Sequence, residues 1–346
     1  MSKRKIAIVP AGAWGTALAV PAAAGGHDVV LWRRDPRWVD AGERNHPALP
    51  GLTLPANVRG VAALAEAVCD ADLVILAPAS VILRETCRSI REYLRPDAVL
   101  LSVTKGIDPE SHLRMSQVVA EEIPTHGDRV AALSGPNFAH EVARQMPTTT
   151  VIACPDLGVA QAAQDLLMTP RFRIYTNPDM IGVELAGALK NVMALGVGLS
   201  DGLGMGDNAR AALITRGLTE IARLGVTMGA NALTFAGLAG MGDLVLTCTS
   251  DSSRNRRAGL AIGRGQSATE FAAAGHLTVE GIPTTRAAWT LAQQLEVSMP
   301  ITEQIYRVLY EGLPGVQGME NLMGREKTHE VEEILRQSFT VEFPPS

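Results

Sequence analysis

Lys5-Ile6-Ala7-Ile8-Val9-Pro10-Ala11-Gly12-Ala13-Trp14-Gly15-Thr16-Ala17-Leu18 decides how the first half of this chain is read. The run 5–9 is short and, after Lys5, apolar with three β-branched residues, as a buried strand requires, and the sequence from Trp14 onward takes a helical pattern. Between them lies a turn bearing Gly12 and Gly15. A strand feeding a glycine-bearing turn and then a helix is the setting in which a dinucleotide fingerprint has physical meaning, because backbone amides and the helix N-terminus can hold a pyrophosphate. Gly12, Ala13, Trp14 and Gly15 are therefore candidate cofactor-binding residues. Pro10 stands where the first glycine of GxGxxG belongs, and proline fixes φ and donates no hydrogen bond, so the turn must take a different route. Pro21, inside the helix expected over 14–24, should kink or shorten it.

Working outward, a second strand is expected at 29–32, followed by Arg33-Arg34-Asp35. The end of this strand is where a ribose-selecting carboxylate usually lies, and arginine instead suits a 2′-phosphate. The reading favours NADP(H), with Asp35 leaving NAD(H) open; the alternative is that Arg33 and Arg34 merely end a strand at the surface. Further strands are expected at 73–77, 99–103, 130–134, 149–153 and 173–175, alternating with helices at 81–93, 113–122 and 157–167. This alternation is the mark of a parallel sheet covered by helices. After Asn177-Pro178-Asp179 the strand signal stops and helices are expected at 180–199, 209–228, 254–262, 280–293 and 301–310, with Asp179 as N-cap of the first. The fold class is an α/β Rossmann-type doubly wound sheet followed by an all-α second domain, bounded as 1–179 and 180–346.

A chain of 346 residues is long enough for two cores. With 31 Lys and Arg against 36 Asp and Glu, the net charge of −5 gives no general attraction to nucleic acid or an anionic membrane, so any phosphate site must be local. Cys69, Cys87, Cys154 and Cys248 are widely spaced, with no metal-ligand pattern, and read as small core hydrophobes in a reducing, cytoplasmic setting. The basic Met1–Lys5 stretch ahead of an uncharged run superficially imitates a secretory leader, but Pro10, Gly12 and Gly15 interrupt the would-be apolar core. No other charge-free apolar run is expected to span a membrane.

In Gly187-Ala188-Leu189-Lys190-Asn191-Val192-Met193-Ala194 a lysine interrupts an apolar helical run. Desolvation disfavours a charged amine, so a lysine in such a setting is a plausible general base. Lys105, Asp243 and the pair Arg254-Asn255 are the residues that could complete a site around it. Lys105 directly follows a strand end, where open parallel sheets place ligands. Asp243 follows a glycine-rich turn and can orient Lys190, accept from a hydroxyl, or simply cap a helix. Arg254, with Ser253 and Asn255 at a helix start, offers a planar fork and extra donors for a phosphate dianion.

Four segments carry a family resemblance: Ser102-Val103-Thr104-Lys105-Gly106-Ile107, Leu133-Ser134-Gly135-Pro136-Asn137-Phe138-Ala139-His140-Glu141, Glu184-Leu185-Ala186-Gly187-Ala188-Leu189-Lys190-Asn191, and Gly240-Met241-Gly242-Asp243-Leu244-Val245-Leu246-Thr247-Cys248. Together with Ser252-Ser253-Arg254-Asn255, Leu49-Pro50-Gly51, Val279-Glu280-Gly281 and Met299-Pro300-Ile301-Thr302, they make the chain resemble the bacterial NAD(P)-linked sn-glycerol-3-phosphate dehydrogenases nearly end to end. The resemblance implies reversible hydride transfer between glycerol 3-phosphate and dihydroxyacetone phosphate, supplying glycerol 3-phosphate for phospholipid synthesis. It implies Lys190 as the acid/base, Lys105 and Asp243 as its catalytic companions, and Gly135, Asn137, Ser253, Arg254 and Asn255 on the substrate side. Ala139, Arg254 and Glu280, with Lys105, would touch the cofactor. A small phosphorylated substrate, no metal, no nucleic acid, no membrane insertion and a homodimer complete what it implies. Two rivals remain. A reductase of carboxylate substrates would not need the Ser253-Arg254-Asn255 grip, and a silent NADP(H)-binding sensor would not need Lys105, Lys190 and Asp243 together.

Overall fold

The computed structural model of the chain describes residues 3–34, 49–268, 270–271 and 279–327. Two compact units make it up, one formed by Met1–Asp108 with Leu113–Glu184 and the other by Pro109–His112 with Leu185–Ser346. Asp35 lies outside the described residues.

The first unit runs β1 (Lys5–Val9), α1 (Ala13–Ala24), β2 (Asp28–Trp32), β3 (Val58–Val61), α2 (Leu64–Val68), β4 (Leu73–Leu76), α3 (Leu83–Ile90), β5 (Val99–Ser102), α4 (Met115–Glu122), β6 (Val130–Ser134), α5 (Ala139–Ala143), β7 (Thr148–Ala153), α6 (Leu157–Leu167) and β8 (Phe172–Asn177). The strands form one sheet in the order β3-β2-β1-β4-β5-β6-β7-β8, parallel throughout except where β7 runs antiparallel to β6. The central strands are covered on both faces, which is why β4, β5 and β6 read as unbroken runs of apolar and small residues. Successive residues of one strand enter opposite cores: Ile6 and Ile8 join Leu73, Ile75 and Leu101 under α1 and α6, while Ala7 and Val9 join Val74, Leu76 and Leu100 over α3 and α4. The strand order reverses at β1, so the crevice outside the ends of β1 and β4 is the topological position where such sheets bind ligands.

Two expectations are corrected and one strand is added. The first helix runs through Pro21 to Ala24 without ending there, and Gly25 N–H donates to the Pro21 carbonyl at 3.1 Å. Over 81–93 only Leu83–Ile90 is α-helical, flanked by 3₁₀ turns at Ser80–Ile82 and Arg91–Tyr93. Edge strand β3 was not expected at all. Its four residues, Val-Arg-Gly-Val, carry one glycine and one charge, too little for a periodic signal.

A long helix, α7 (Met180–Gly202), begins in the first unit and continues into the second. Asp179 caps it as expected, accepting from Gly182 N–H at 2.9 Å. Just beyond its first turn it is tied down by Glu184, which accepts from the Ser116 amide (2.7 Å) and hydroxyl (2.6 Å) and pairs with Arg114. Among the described residues α7 is long and apolar enough to cross a membrane, but 89% of its most apolar window is buried inside the protein, as in the core helix of a folded domain. Glu184 and Lys190 interrupt it, so no charge-free run announces it.

The second unit continues with α8 (Gly206–Thr227), α9 (Ala232–Ala236), a π-type turn at Leu238–Gly242, α10 (Asp243–Thr249), α11 (Arg254–Gly263), α12 (Gly281–Gln294), α13 (Pro300–Tyr310) and α14 (Gly315–Met323). Helices α7 and α11 meet backbone to backbone. A Cβ on Gly198 would lie 2.1 Å from the Arg256 carbonyl oxygen, and one on Gly259 would lie 2.0 Å from that of Leu195. Gly202 and Gly263 repeat the pattern one turn on. The approach fixes the start of α11 against the helix that carries Lys190.

Glu220, on α8, is fully buried and caps α13, accepting from Ile301 N–H (2.6 Å), Thr302 N–H (3.1 Å) and the Thr302 hydroxyl (3.2 Å). Burial outweighs these donors and pushes its carboxyl from 4.5 up to about 7. A folded-state value raised above the unfolded one means that the folded protein holds the proton more tightly. The stability this confers is present below the unfolded value near 4.5 and is lost as pH rises toward 7. Urea unfolding of the wild type and Glu220→Gln at pH 5 and pH 8 should therefore show the wild type losing on the order of 2–3 kcal/mol more than the variant. Parallel pH dependence in the two proteins would contradict the assignment.

Candidate active site

The phosphate turn follows directly from β1. The Val9–Pro10 peptide is cis, the Pro10 carbonyl accepts from Gly12 N–H at 2.9 Å, and Ala11 N–H donates across to the Trp32 carbonyl at 2.8 Å. The turn thus closes with proline in place of the first glycine. Gly12 precedes α1 without a side-chain cap, and nothing lies within 4 Å of where its Cβ would stand. The amides of Ala13, Trp14 and Gly15 belong to the first helical turn, which has no intrahelical acceptors for them. A Cβ on Gly15 would meet Ile8 Cγ2 and the Pro10 carbonyl oxygen, each at 2.8 Å, so glycine is needed for α1 to sit this close to β1. An uncapped helix start, open space above Gly12 and close packing below Gly15 fit a dinucleotide diphosphate. At the neighbouring strand end, Arg33 is half-buried with its amide on the Val61 carbonyl, and Arg34 is exposed.

Lys105 lies just beyond β5, and its half-buried ammonium donates to the Gly135 carbonyl (3.0 Å) and to Asn137 Oδ1 (3.1 Å). Gly135 and Asn137 follow β6, so two adjacent parallel strands deliver these groups to one end of the sheet. Gly135 has φ +148°, and its Cβ would come within 2.9 Å of Thr150 Oγ1. Glycine alone suits that position. Ala139 opens α5 and packs against the core beneath α1.

In the second unit Lys190 lies in the middle of α7, only 6% exposed, and donates to Asp243 Oδ1 at 2.5 Å and to Thr247 Oγ1 at 2.8 Å. Asp243, 1% exposed, is the first residue of α10, delivered by the π-type turn. That turn closes with Gly242 N–H on the Gly237 carbonyl at 3.1 Å. Gly240 is forced there, because its Cβ would lie 2.0 Å from the Phe235 carbonyl oxygen. Thr247, one helical turn after Asp243, donates to the Asp243 carbonyl (2.6 Å) and accepts from Lys190. Sequence reasoning missed Thr247, although its i, i+4 spacing from Asp243 puts both on one helix face. Cys248 beside them is held by burial at about 12, a packing group and not a nucleophile. Cys87 and Cys154 are likewise buried, whereas Cys69 is exposed, against the expectation that all four lie in the core.

Ser253 caps α11, its hydroxyl accepting from Arg256 N–H at 3.2 Å. The Arg254 and Asn255 amides belong to that first turn. Arg254 reaches solvent, but neighbouring protein desolvates its guanidinium enough to lower its proton affinity, while Glu280, close enough to act on it, opposes the shift. The Asn255 side chain is spent inward, donating to Asn191 Oδ1 at 2.8 Å and accepting from Gly281 N–H at 2.9 Å. It therefore ties together the segments carrying Lys190, Arg254 and Glu280.

Each half matches a known family. Residues 5–160 match the model of the NAD-dependent glycerol-3-phosphate dehydrogenase N-terminus, and residues 179–320 that of the corresponding C-terminus. The chain is 66% identical over 340 residues to a glycerol-3-phosphate dehydrogenase [NAD(P)+] of Symbiobacterium thermophilum, covering 98% of this chain and 99% of the relative. With the enzyme of the same name from Desulfitobacterium hafniense it shares 50% over 335 residues, 95% of this chain and 94% of that one. Among solved structures, glycerol-3-phosphate dehydrogenase from Coxiella burnetii superposes with a TM-score of 0.88 at 39% identity, covering 93% and 99% of the two chains.

Proposed function

Because this chain belongs to the NAD-dependent glycerol-3-phosphate dehydrogenase family, we propose that Lys190 is the proton carrier in its reaction. The chain is an oxidoreductase acting on a CH–OH group, interconverting sn-glycerol 3-phosphate and dihydroxyacetone phosphate with a nicotinamide cofactor. The bound cofactor supplies or accepts the hydride at C2 of the substrate. In reduction the Lys190 ammonium gives one proton to the C2 oxygen as that carbon gains the hydride, and in oxidation the amine takes the proton back. The observation that carries this reading is the buried Lys190–Asp243–Thr247 cluster: a lysine held this firmly inside a helix core has a direction as well as a charge.

Lys105 is the second cation, set by Gly135 and Asn137. The phosphate of the substrate is taken by Arg254 and the amides opening α11, with Asn255 as the strut behind them, and Glu280 and Ala139 lie on the cofactor side. Gly12, Ala13, Trp14 and Gly15 hold the diphosphate. Arg33 and Arg34 favour NADP(H) by facing a 2′-phosphate with positive charge. The family resemblance further supports a cytoplasmic homodimer. The Ser253-capped phosphate grip argues against a carboxylate-substrate reductase, and the Lys190 cluster argues against a silent sensor.

Following nicotinamide absorbance with dihydroxyacetone phosphate should show turnover with a lower KM for NADPH than for NADH. Arg33→Ala/Arg34→Ala should raise the NADPH KM roughly tenfold, as expected for lost charge-assisted hydrogen bonds, with little change for NADH. An equal effect on both cofactors would refute the assignment of the two arginines.

A further inference from the structure

Thr150, on β7, is fully buried, and its hydroxyl lies 2.9 Å from the Ser134 carbonyl oxygen and 2.9 Å from the Asn137 side-chain nitrogen. A hydroxyl has one hydrogen to give. The Ser134 carbonyl can only accept, so that hydrogen goes to it, and toward Asn137 the Thr150 oxygen can act only as an acceptor. The atom of Asn137 that faces Thr150 must therefore be the donor Nδ2, and Oδ1 must face the other way. On that side lies the Lys105 ammonium, which donates to Oδ1 at 3.1 Å. The polarity of the whole chain of hydrogen bonds, from Lys105 to Asn137 to Thr150 to the Ser134 carbonyl, is set at its buried end.

Reversing the Asn137 amide would put an NH₂ group against an ammonium and leave Thr150 facing an acceptor it has no hydrogen for. The fault at Thr150 would be fully buried and the one at Lys105 partly so, and unmade hydrogen bonds away from water are costly. Gly135 belongs to the same device. It passes over Thr150 with its missing Cβ 2.9 Å from Oγ1, and its carbonyl accepts the other Lys105 bond at 3.0 Å. β7 pairs antiparallel with β6, Ser134 opposite Val151, and this brings Thr150 beneath the loop 135–137.

We infer that Thr150 is a positioning residue for the reaction: through the Asn137 amide it fixes where the Lys105 ammonium stands. The inference rests on the reading of Lys105 as a substrate-facing cation. Thr150→Val removes the hydroxyl and keeps the shape, while Thr150→Ser keeps the hydroxyl. The valine variant should lower kcat/KM for dihydroxyacetone phosphate about tenfold, the worth of one buried hydrogen bond, with NADPH affinity unchanged. The serine variant should restore most of it. In an Asn137→Ala background, Thr150→Val should add nothing, because its effect passes through that amide.

A second readout does not depend on turnover. The Asn137 side-chain NH₂ signals in ¹⁵N-labelled protein should be protected from solvent exchange in the wild type and Thr150→Ser, and unprotected in Thr150→Val. Unchanged protection in the valine variant, or losses that multiply fully in the double variant, would overturn the inference. A wild type unable to reduce dihydroxyacetone phosphate would instead sink the assigned reaction, and the exchange comparison would still decide the role of Thr150.

Discussion

Replacing Lys190 by methionine is expected to lower turnover of dihydroxyacetone phosphate about 10²–10⁴-fold, the usual worth of a positioned general acid or base. Methionine keeps the apolar stem within α7 and removes the group that carries the proton; because it also removes the ion pair with Asp243, the comparison is made at a temperature where the variant's unfolding curve shows it folded. The diphosphate turn belongs to the first unit and has its own support in β1 and β2, so NADPH affinity should stay at the wild-type value. The loss should therefore appear in kcat, as for an interaction made only in the transition state. Turnover within a few-fold of wild type would remove Lys190 from the chemistry, and a parallel collapse of NADPH binding would mean that the substitution had damaged the fold instead.

Asp243→Leu should be strongly destabilising. The Lys190 and Asp243 side chains are only 8% and 1% exposed, so solvent screens their interaction little. Removing one member of such a pair leaves an uncompensated buried charge, which costs about 3–5 kcal/mol. Replacing both, as Lys190→Met with Asp243→Leu, should recover most of that stability, because an apolar pair of similar volume no longer has an ion to desolvate. Activity should not return with it. Recovered folding without recovered turnover would separate the two roles of the cluster, whereas a single variant as stable as wild type would show that the ammonium finds another partner or leaves the core.

Much of this was legible from residue order alone, and the reasons are local. Strand β1 carries four apolar residues after Lys5 and β6 five apolar or small ones, each between clear boundaries, and they lie where the sequence puts them. The phosphate turn was legible because it joins a strand to a helix, and Lys190 because a cation in an apolar helical run stands out. What escaped is short or depends on pairing. Helices α2, α5 and α9 have five residues each, less than the periodicity of a helix needs to show itself. Thr150 acts only because β7 returns antiparallel to β6, and no spacing along the chain reveals that. The inward turn of the Asn255 amide is likewise a consequence of α7, α11 and α12 meeting in space. Pro21 is tolerated because a break three residues before the helix end affects little of the helix beyond it.

The measurement that bears most directly on the central claim is the fate of a label. Dihydroxyacetone phosphate incubated with the wild-type protein and NADPH deuterated at C4 of the nicotinamide should yield glycerol 3-phosphate carrying deuterium at C2, and Lys190→Met should form that product only at the reduced rate. Substrate recovered unchanged from the wild-type reaction, or product formed equally fast by the variant, would contradict the account.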